Sequence, residues 1–263
     1  MKQRPVVLKF GTGILATKGG CSLDTAQFRR LCGEIASLIA LGIPCVVVSS
    51  GAVAAGVDAL GLPDRPIDLA GKQACAAVGQ PLLMEAYARC FSKYGLRTAQ
   101  LLLTHDDIFD SGRRRNASVT LGKLLSSPGV VPVINENDTV AVEELRFGDN
   151  DRLSAEVAQL VSARLLLLLT SANGLLEKAS HPGGKPARIP VVTDVEAAFR
   201  HVTSEKGKHS TGGMGAKLQA VRTAVEAGVE TVIADGRMKK QITGAVAGED
   251  VGTRFPAKRA SKC

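Results

Sequence analysis

The sequence predicts a three-layer α/β/α sandwich built on a mainly parallel central sheet. Short apolar runs of strand length alternate with longer helical repeats along the chain. A length of 263 residues with 45% hydrophobic content supports a sizeable core. The runs end repeatedly in small or polar residues: Gly11-Thr12-Gly13, Ser49-Ser50-Gly51-Ala52, Asn135-Glu136-Asn137-Asp138 and Thr170-Ser171. In a parallel sheet those ends share one edge, where ligands bind.

The elements follow in order. Val6 to Phe10 is a β-branched run bounded by Gly11. Residues 24–41 place Phe28, Leu31, Ile35 and Leu38 at helical spacing, and Gly42 stops the helix. Ile43 to Val48 reads as the second strand, and residues 69–94 as a helix that Gly79-Gln80-Pro81 breaks or kinks. Leu96 to Leu103 is a strand, a helix runs from near Gly112 to Leu125, and Val130 to Ile134 is a strand. Residues 151–163 are helical and Arg164 to Leu169 is a fully apolar strand. Residues 213–227 are helical, followed by the strand Val229 to Ala234. Residues 177–212, polar and rich in Gly, Pro, Lys and His, read as a flap rather than a linker. Without an internal repeat, residues 1–263 are expected to form one domain.

Composition narrows the function. Only 3% of residues are aromatic, with no Trp and two Tyr, which argues against a base-stacking reader of nucleic acid. The net charge of +8 is compatible with an anionic partner or with a solvated surface. Six cysteines without a Cys-x-x-Cys pair or a signal peptide predict a reducing, cytoplasmic setting, with Cys32, Cys45 and Cys75 as small buried hydrophobes. No apolar run is long enough to span a membrane. The tail Ser261-Lys262-Cys263 is one residue from a peroxisome-type address, although a frayed basic tail is the simpler reading. Arg113-Arg114-Arg115 and Lys239-Lys240 read as solvated charge, and His105, His181, His201 and His209 as isolated.

Four segments carry candidate chemistry. Lys9 precedes the Gly11-Thr12-Gly13 turn, where it reaches a phosphate or snorkels to solvent. The loose dinucleotide fingerprint Gly11-x-Gly13-x-x-Ala16 lacks the acidic residue expected at the next strand end. Ser49-Ser50-Gly51-Ala52 opens a helix, as an anion seat or a plain Ser cap. Ile134-Asn135-Glu136-Asn137-Asp138 and Gly148-Asp149-Asn150-Asp151 form a dense polar cluster able to receive an ammonium or orient lysines. No His stands at metal-ligand spacing, so no metal site is expected. Thr211-Gly212-Gly213-Met214-Gly215-Ala216-Lys217 is no Walker A loop. It still joins glycines, a helix start and a lysine into an anion cradle.

Taken together, these motifs resemble the glutamate 5-kinases of the amino acid kinase superfamily. The resemblance rests on Lys9-x-Gly11-Thr12, Ser50-Gly51-Ala52-x-Ala54-Ala55-Gly56, Gln80, the two Asn/Asp segments, Leu167-Leu168-Leu169-Thr170 and Thr211-Gly212-Gly213-Met214-x-x-Lys217. It implies phosphorylation of the L-glutamate side chain by ATP with Mg²⁺, the first step of proline synthesis. It further implies that Ser50, Gly51, Ala52, Asp138 and Asn150 bind glutamate, with Asp138 near the ammonium. Lys9 and Lys217 would stabilise the transferring phosphoryl group and Asp151 would hold them. Lys9, Gly11, Thr170, Ser171 and the run Thr211, Gly212, Gly213, Met214, Gly215, Ala216, Lys217 would contact ATP. The glutamate site would lie mainly in the N-terminal part, and the nucleotide site mainly from about residue 164 onward. Feedback inhibition by proline and assembly into dimers or tetramers come with the family; nucleic-acid and membrane partners do not.

Three departures stand out. Thr170-Ser171 replaces the usual Thr-Asp, and Gly174-Leu175-Leu176 through His181-Pro182 replaces a Gly-Leu-Tyr and Asp-Pro pattern. The chain is also too short for the C-terminal PUA-type domain many members carry. A different class, an amino-acid-binding regulator without catalysis, is motivated by Ser171; a kinase for N-acetylglutamate or aspartate is the nearer alternative.

Overall fold

The computed structural model describes residues 3–17, 19–141, 150–177, 186–201 and 213–258. Among them, β1 (Val6–Phe10), β2 (Cys45–Ser49), β3 (Arg97–Leu103), β4 (Val130–Glu136), β5 (Leu165–Thr170), β6 (Glu230–Asp235) and β7 (Thr253–Phe255) form one sheet. The order is β3-β4-β2-β1-β5-β6-β7, parallel throughout except the antiparallel β6–β7 pair. The helices are α1 (Thr12–Leu15), α2 (Thr25–Ala40), α3 (Ala52–Ala59), α4 (Leu69–Ser92), α5 (His105–Phe109), α6 (Ser111–Ser126), α7 (Asn150–Leu160), α8 (Val195–Ala198), α9 (Met214–Glu226) and α10 (Gln241–Ala247).

Strand alternation divides the interior into two cores. Val6, Leu8 and Phe10 face α2, α3, α4 and α10, whereas Val7 faces α6, α7 and α9. Lys9, two residues after Val7, therefore emerges on the α7–α9 side. Burial on both faces also explains the unbroken Leu165–Leu169 run, where no residue is more than 3% exposed. The sandwich expected from the sequence is what the chain forms.

The long helix excludes one of the two readings of Gly79-Gln80-Pro81, the break. α4 continues through Pro81 without a break. A Cβ on Gly79 would lie 1.8 Å from Ala52 O, and one on Gly56 would lie 1.8 Å from Cys75 O. α3 and α4 thus meet backbone to backbone and run antiparallel.

The polar stretch 177–212 is not wholly an excursion. Leu176 bridges Arg188, Val191 bridges Arg254, and Val195 and Ala198 of α8 are buried in the second core. Residues 178–185 and 202–212 lie outside the described residues. Strand β7 and helices α1, α5, α8 and α10 are additions to the sequence reading; each is seven residues or shorter, too brief for a clear period. Cys32, Cys45 and Cys75 are buried free thiols as expected, and Cys21 and Cys90 are half-buried and free. Among the described residues no helix is long and apolar enough to cross a membrane.

Candidate active site

The C-terminal ends of β1, β2, β4 and β5 open onto one edge of the sheet, with β1 at the point where the strand order reverses. Asp151, in the first turn of α7, is 1% exposed there. Its Oδ1 accepts from Lys9 Nζ, and its Oδ2 lies 2.9 Å from Lys217 Nζ. Lys9 and Lys217 are 5% and 8% exposed, which rules out the snorkelling reading of Lys9. Burial alone would raise the Asp151 carboxyl, but the two ammonium groups outweigh it and hold the group down at about 2. Among the described residues, one buried carboxylate thus grips two lysine ammonium groups at the sheet edge.

The second half of the site is a hydrogen-bonded chain. Asn150 Nδ2 lies 3.0 Å from Ser50 Oγ, 3.0 Å from Asn135 Oδ1 and 3.1 Å from Ser49 O. Asn135 Nδ2 donates to Gln80 Oε1 at 2.9 Å. Ser49 Oγ donates to Ser50 O at 2.8 Å and lies 2.8 Å from the hydroxyl of Tyr87, which is buried against Phe28 and Phe91. The cap of α3 is Gly51, in the left-handed region at φ +116°, with no side-chain cap bond. The Ser-cap alternative therefore fails: Ser50 turns its hydroxyl to Asn150, and the α3 N-terminus keeps free N–H groups that favour an anion. Two buried amide atoms, Gln80 Nε2 and Asn150 Oδ1, have no hydrogen-bond partner among the described residues. An unmet buried amide costs about 1–3 kcal/mol, a penalty that a bound polar ligand removes.

Asp138 sits half-buried beyond β4, close enough to Arg65 for their charges to interact. Gln73 Nε2 reaches Thr139 O at 3.4 Å and ties α4 to this segment. Gly148 and Asp149 lie outside the described residues.

On the other side, Thr170 ends β5 and its carbonyl accepts from Gly236 N at 2.9 Å. Arg237 donates to Ser171 O and pairs with Asp235 at 2.7 Å. Burial raises the Asp235 carboxyl, but the Arg237 hydrogen bonds outweigh it and hold the group low. Gly213 caps α9 in extended conformation without a side-chain cap bond, so the first-turn N–H groups of Met214, Gly215 and Ala216 take no capping side chain. Gly11 plays the same part at α1, directly above Lys9 Nζ. Thr211 and Gly212 lie outside the described residues.

The sequence reading left Tyr87, Ser49, Arg65, Arg237 and Asp235 without a part, and gave none to Gln80. It also took His105 as isolated. The structure corrects this: His105 Nδ1 lies 2.7 Å from Glu156 Oε2, while Arg152 holds the other oxygen at 3.1 Å. His105 and Glu156 are 51 positions apart, so no local pattern announced the pair.

Fold and site together define an amino acid kinase, and the family model described as "Amino acid kinase family" matches residues 4–235. Curated glutamate 5-kinases are similar over nearly the whole chain. That of Deinococcus radiodurans is 49% identical over 255 residues, covering 96% of this chain and 69% of the relative. That of Trichlorobacter lovleyi is 46% identical over 255 residues, covering 96% and 67%. That of Thermus thermophilus is 43% identical over 259 residues, covering 98% and 69%. The chain belongs to the amino acid kinase family, in its glutamate 5-kinase branch. Among solved structures, a UMP kinase from Bacillus anthracis matches with a TM-score of 0.62 at 15% identity, covering 97% of each chain; this likeness shows the shared fold.

Proposed function

We propose that this chain transfers the terminal phosphoryl group of ATP to the side-chain carboxylate of L-glutamate, giving L-glutamyl 5-phosphate. The observation that carries this reading is Asp151 gripping Lys9 and Lys217 in a buried cluster at the sheet edge. The nucleophile needs no general base, because a glutamate side chain with a pKa of about 4.3 is already ionised at pH 7. The obstacle is bringing one anion up to a polyanion. Lys9 and Lys217 neutralise charge on the transferring group, Asp151 keeps both lysines in place, and the N-termini of α3 and α9 add N–H donors.

The remaining roles follow the two halves of the edge. Ser50, Gly51, Ala52 and Asn150 receive the glutamate carboxylate, and Asp138 its ammonium. Gly11, Thr170, Ser171 and residues 211–217 receive ATP. Mg²⁺ enters with ATP as part of that substrate; among the described residues no cluster of three or more His, Cys, Asp or Glu is placed to hold a metal ion. The glutamate half lies mainly N-terminal and the nucleotide half mainly from about residue 164, within one domain. Placement in proline synthesis, inhibition by proline, assembly into dimers or tetramers and a cytoplasmic location complete the reading, each resting on the family.

The test is ADP release from Mg-ATP with L-glutamate, with the acyl phosphate trapped as its hydroxamate. Glutamate-dependent turnover is expected, and its absence would sink the reading. N-acetylglutamate, which lacks the ammonium, should react far more slowly; equal turnover would remove Asp138 from its role.

A further inference from the structure

We propose that His105 is a positioning residue for phosphoryl transfer: through Glu156 it fixes the rotation of α7, and so the places of Asn150 and Asp151. The inference rests on the kinase reading above and adds to it a residue that touches neither substrate.

The pair is buried and directly bonded. His105 Nδ1 lies 2.7 Å from Glu156 Oε2, with the two side chains 11% and 9% exposed. An ionised carboxylate only accepts, so the imidazole donates from Nδ1. Arg152 Nε meets the other carboxylate oxygen at 3.1 Å, and its guanidinium lies 5.4 Å from the centre of the Phe109 ring. The Glu156 carboxylate thereby links α7 to both ends of α5, His105 and Phe109.

α5 is a firm support for this contact. Leu103 ends β3, and its carbonyl accepts from Asn137 N at 3.1 Å, one residue beyond β4. Thr104 and Asp107 close a capping box, with Thr104 N 2.8 Å from Asp107 Oδ2 and Asp107 N 3.3 Å from Thr104 Oγ1. Arg113 reaches Asp107 Oδ1 at 3.1 Å, and Ile108 is buried in the second core. His105 is therefore set at the same edge of the sheet as the candidate active site.

α7 gains a third hold from that support. Asn150 bonds to Ser49, Ser50 and Asn135, Asp151 to Lys9 and Lys217, and Glu156 to His105. Counted from Asn150 at 0°, Asp151 and Glu156 stand at about 100° and about 240° around the helix axis. The first two pull on adjoining sides, and a helix held there can still roll. The third holds the side left over. Stability alone does not call for a polar pair at this place. Ile108 lies one turn from His105 and Leu153 one turn from Glu156, both in the second core, where apolar residues of equal volume often serve as well or better. What the pair supplies is one fixed orientation of α7.

The test is steady-state kinetics on variants of the full chain. His105→Ala should lower kcat about 10- to 100-fold, the cost of displacing reacting groups by about 1 Å. The KM for glutamate should rise about threefold or more through Asn150, while the KM for ATP stays within about twofold. A variant that merely folds less well contains less active enzyme, so its apparent kcat falls with both KM values unchanged. That pattern, or no fall at all, would overturn the role of His105. His105→Asn presents an amide N–H near the Nδ1 position and should recover most of the kcat; no gain over His105→Ala would also overturn the role. His105→Leu combined with Glu156→Leu should unfold at no lower denaturant concentration than the unmodified chain and still show the low kcat. A kcat restored together with stability would reduce the pair to packing. An unmodified chain without glutamate-dependent turnover would instead overturn the kinase reading, and the role of His105 with it.

Discussion

Lys217 Nζ lies 2.9 Å from Asp151 Oδ2, across 66 positions of sequence and from a different helix. Because the other carboxylate oxygen holds Lys9, the position of each lysine depends on the same aspartate. Asp151→Asn would remove the one carboxylate that both buried ammonium groups share. We expect kcat to fall by at least about 100-fold, and stability by about 3–5 kcal/mol. Steady-state kinetics and denaturant melts check both; retention of near-normal kcat would remove Asp151 from the machinery.

Lys217 acts on the group in transfer, not on glutamate. Lys217→Ala should lower kcat about 1,000-fold while changing the KM for glutamate less than about threefold. A mainly KM effect would show that Lys217 binds the amino acid instead.

The ionisation of Asp151 sets an acid limit. Its carboxyl is held at about 2 in the fold against an ordinary 3.8. The unfolded chain thus takes up its proton first as pH falls. The group's contribution, on the order of 2 kcal/mol, is complete above about pH 4 and lost as pH falls through 2. Between pH 6 and 8, Asp151 should impose no pH dependence on kcat. Equilibrium unfolding measured from pH 2 to 7, alongside Asp151→Asn, isolates the term: the difference between the two proteins should shrink only below pH 4.

Backbone contact between α3 and α4 predicts a severe effect from the smallest possible change. Gly79→Ala places a methyl where Ala52 O now sits, so α3 must shift. A loss of about 1–3 kcal/mol is expected from the overpacking. Because Ala52 is the first residue of α3, the KM for glutamate should rise more than the KM for ATP. Equal changes in the two would show that α3 does not position the glutamate half.

Asn150 joins the ends of β2 and β4 through a single amide. Asn150→Ala should raise the KM for glutamate about 10-fold or more, and isothermal titration with glutamate alone should show the same loss. Unchanged binding would place the substrate elsewhere.

Much of this was legible in the linear chain, for identifiable reasons. A strand buried on both faces must be apolar throughout, which is why Leu165–Leu169 announces itself. Residues at the C-terminal ends of the strands of a parallel sheet share one edge, so Lys9, Ser50, Asn135 and Thr170 could be grouped before any contact was known. The period of two even settles which face Lys9 takes. What remained hidden is what distance in space decides. Tyr87 meets Ser49 across 38 positions, and His105 meets Glu156 across 51; no spacing rule reaches that far. Pro81 looked like a break or a kink because local propensity disfavours it, and the helix nonetheless runs through it. The sequence by itself determined the layers, the edge and the residue types available for phosphoryl transfer, because periodicity and strand order are properties of the chain. The tertiary structure alone decided which carboxylate holds which lysine and which histidine meets Glu156, because those pairings depend on how elements 51, 66 and 142 residues apart pack together.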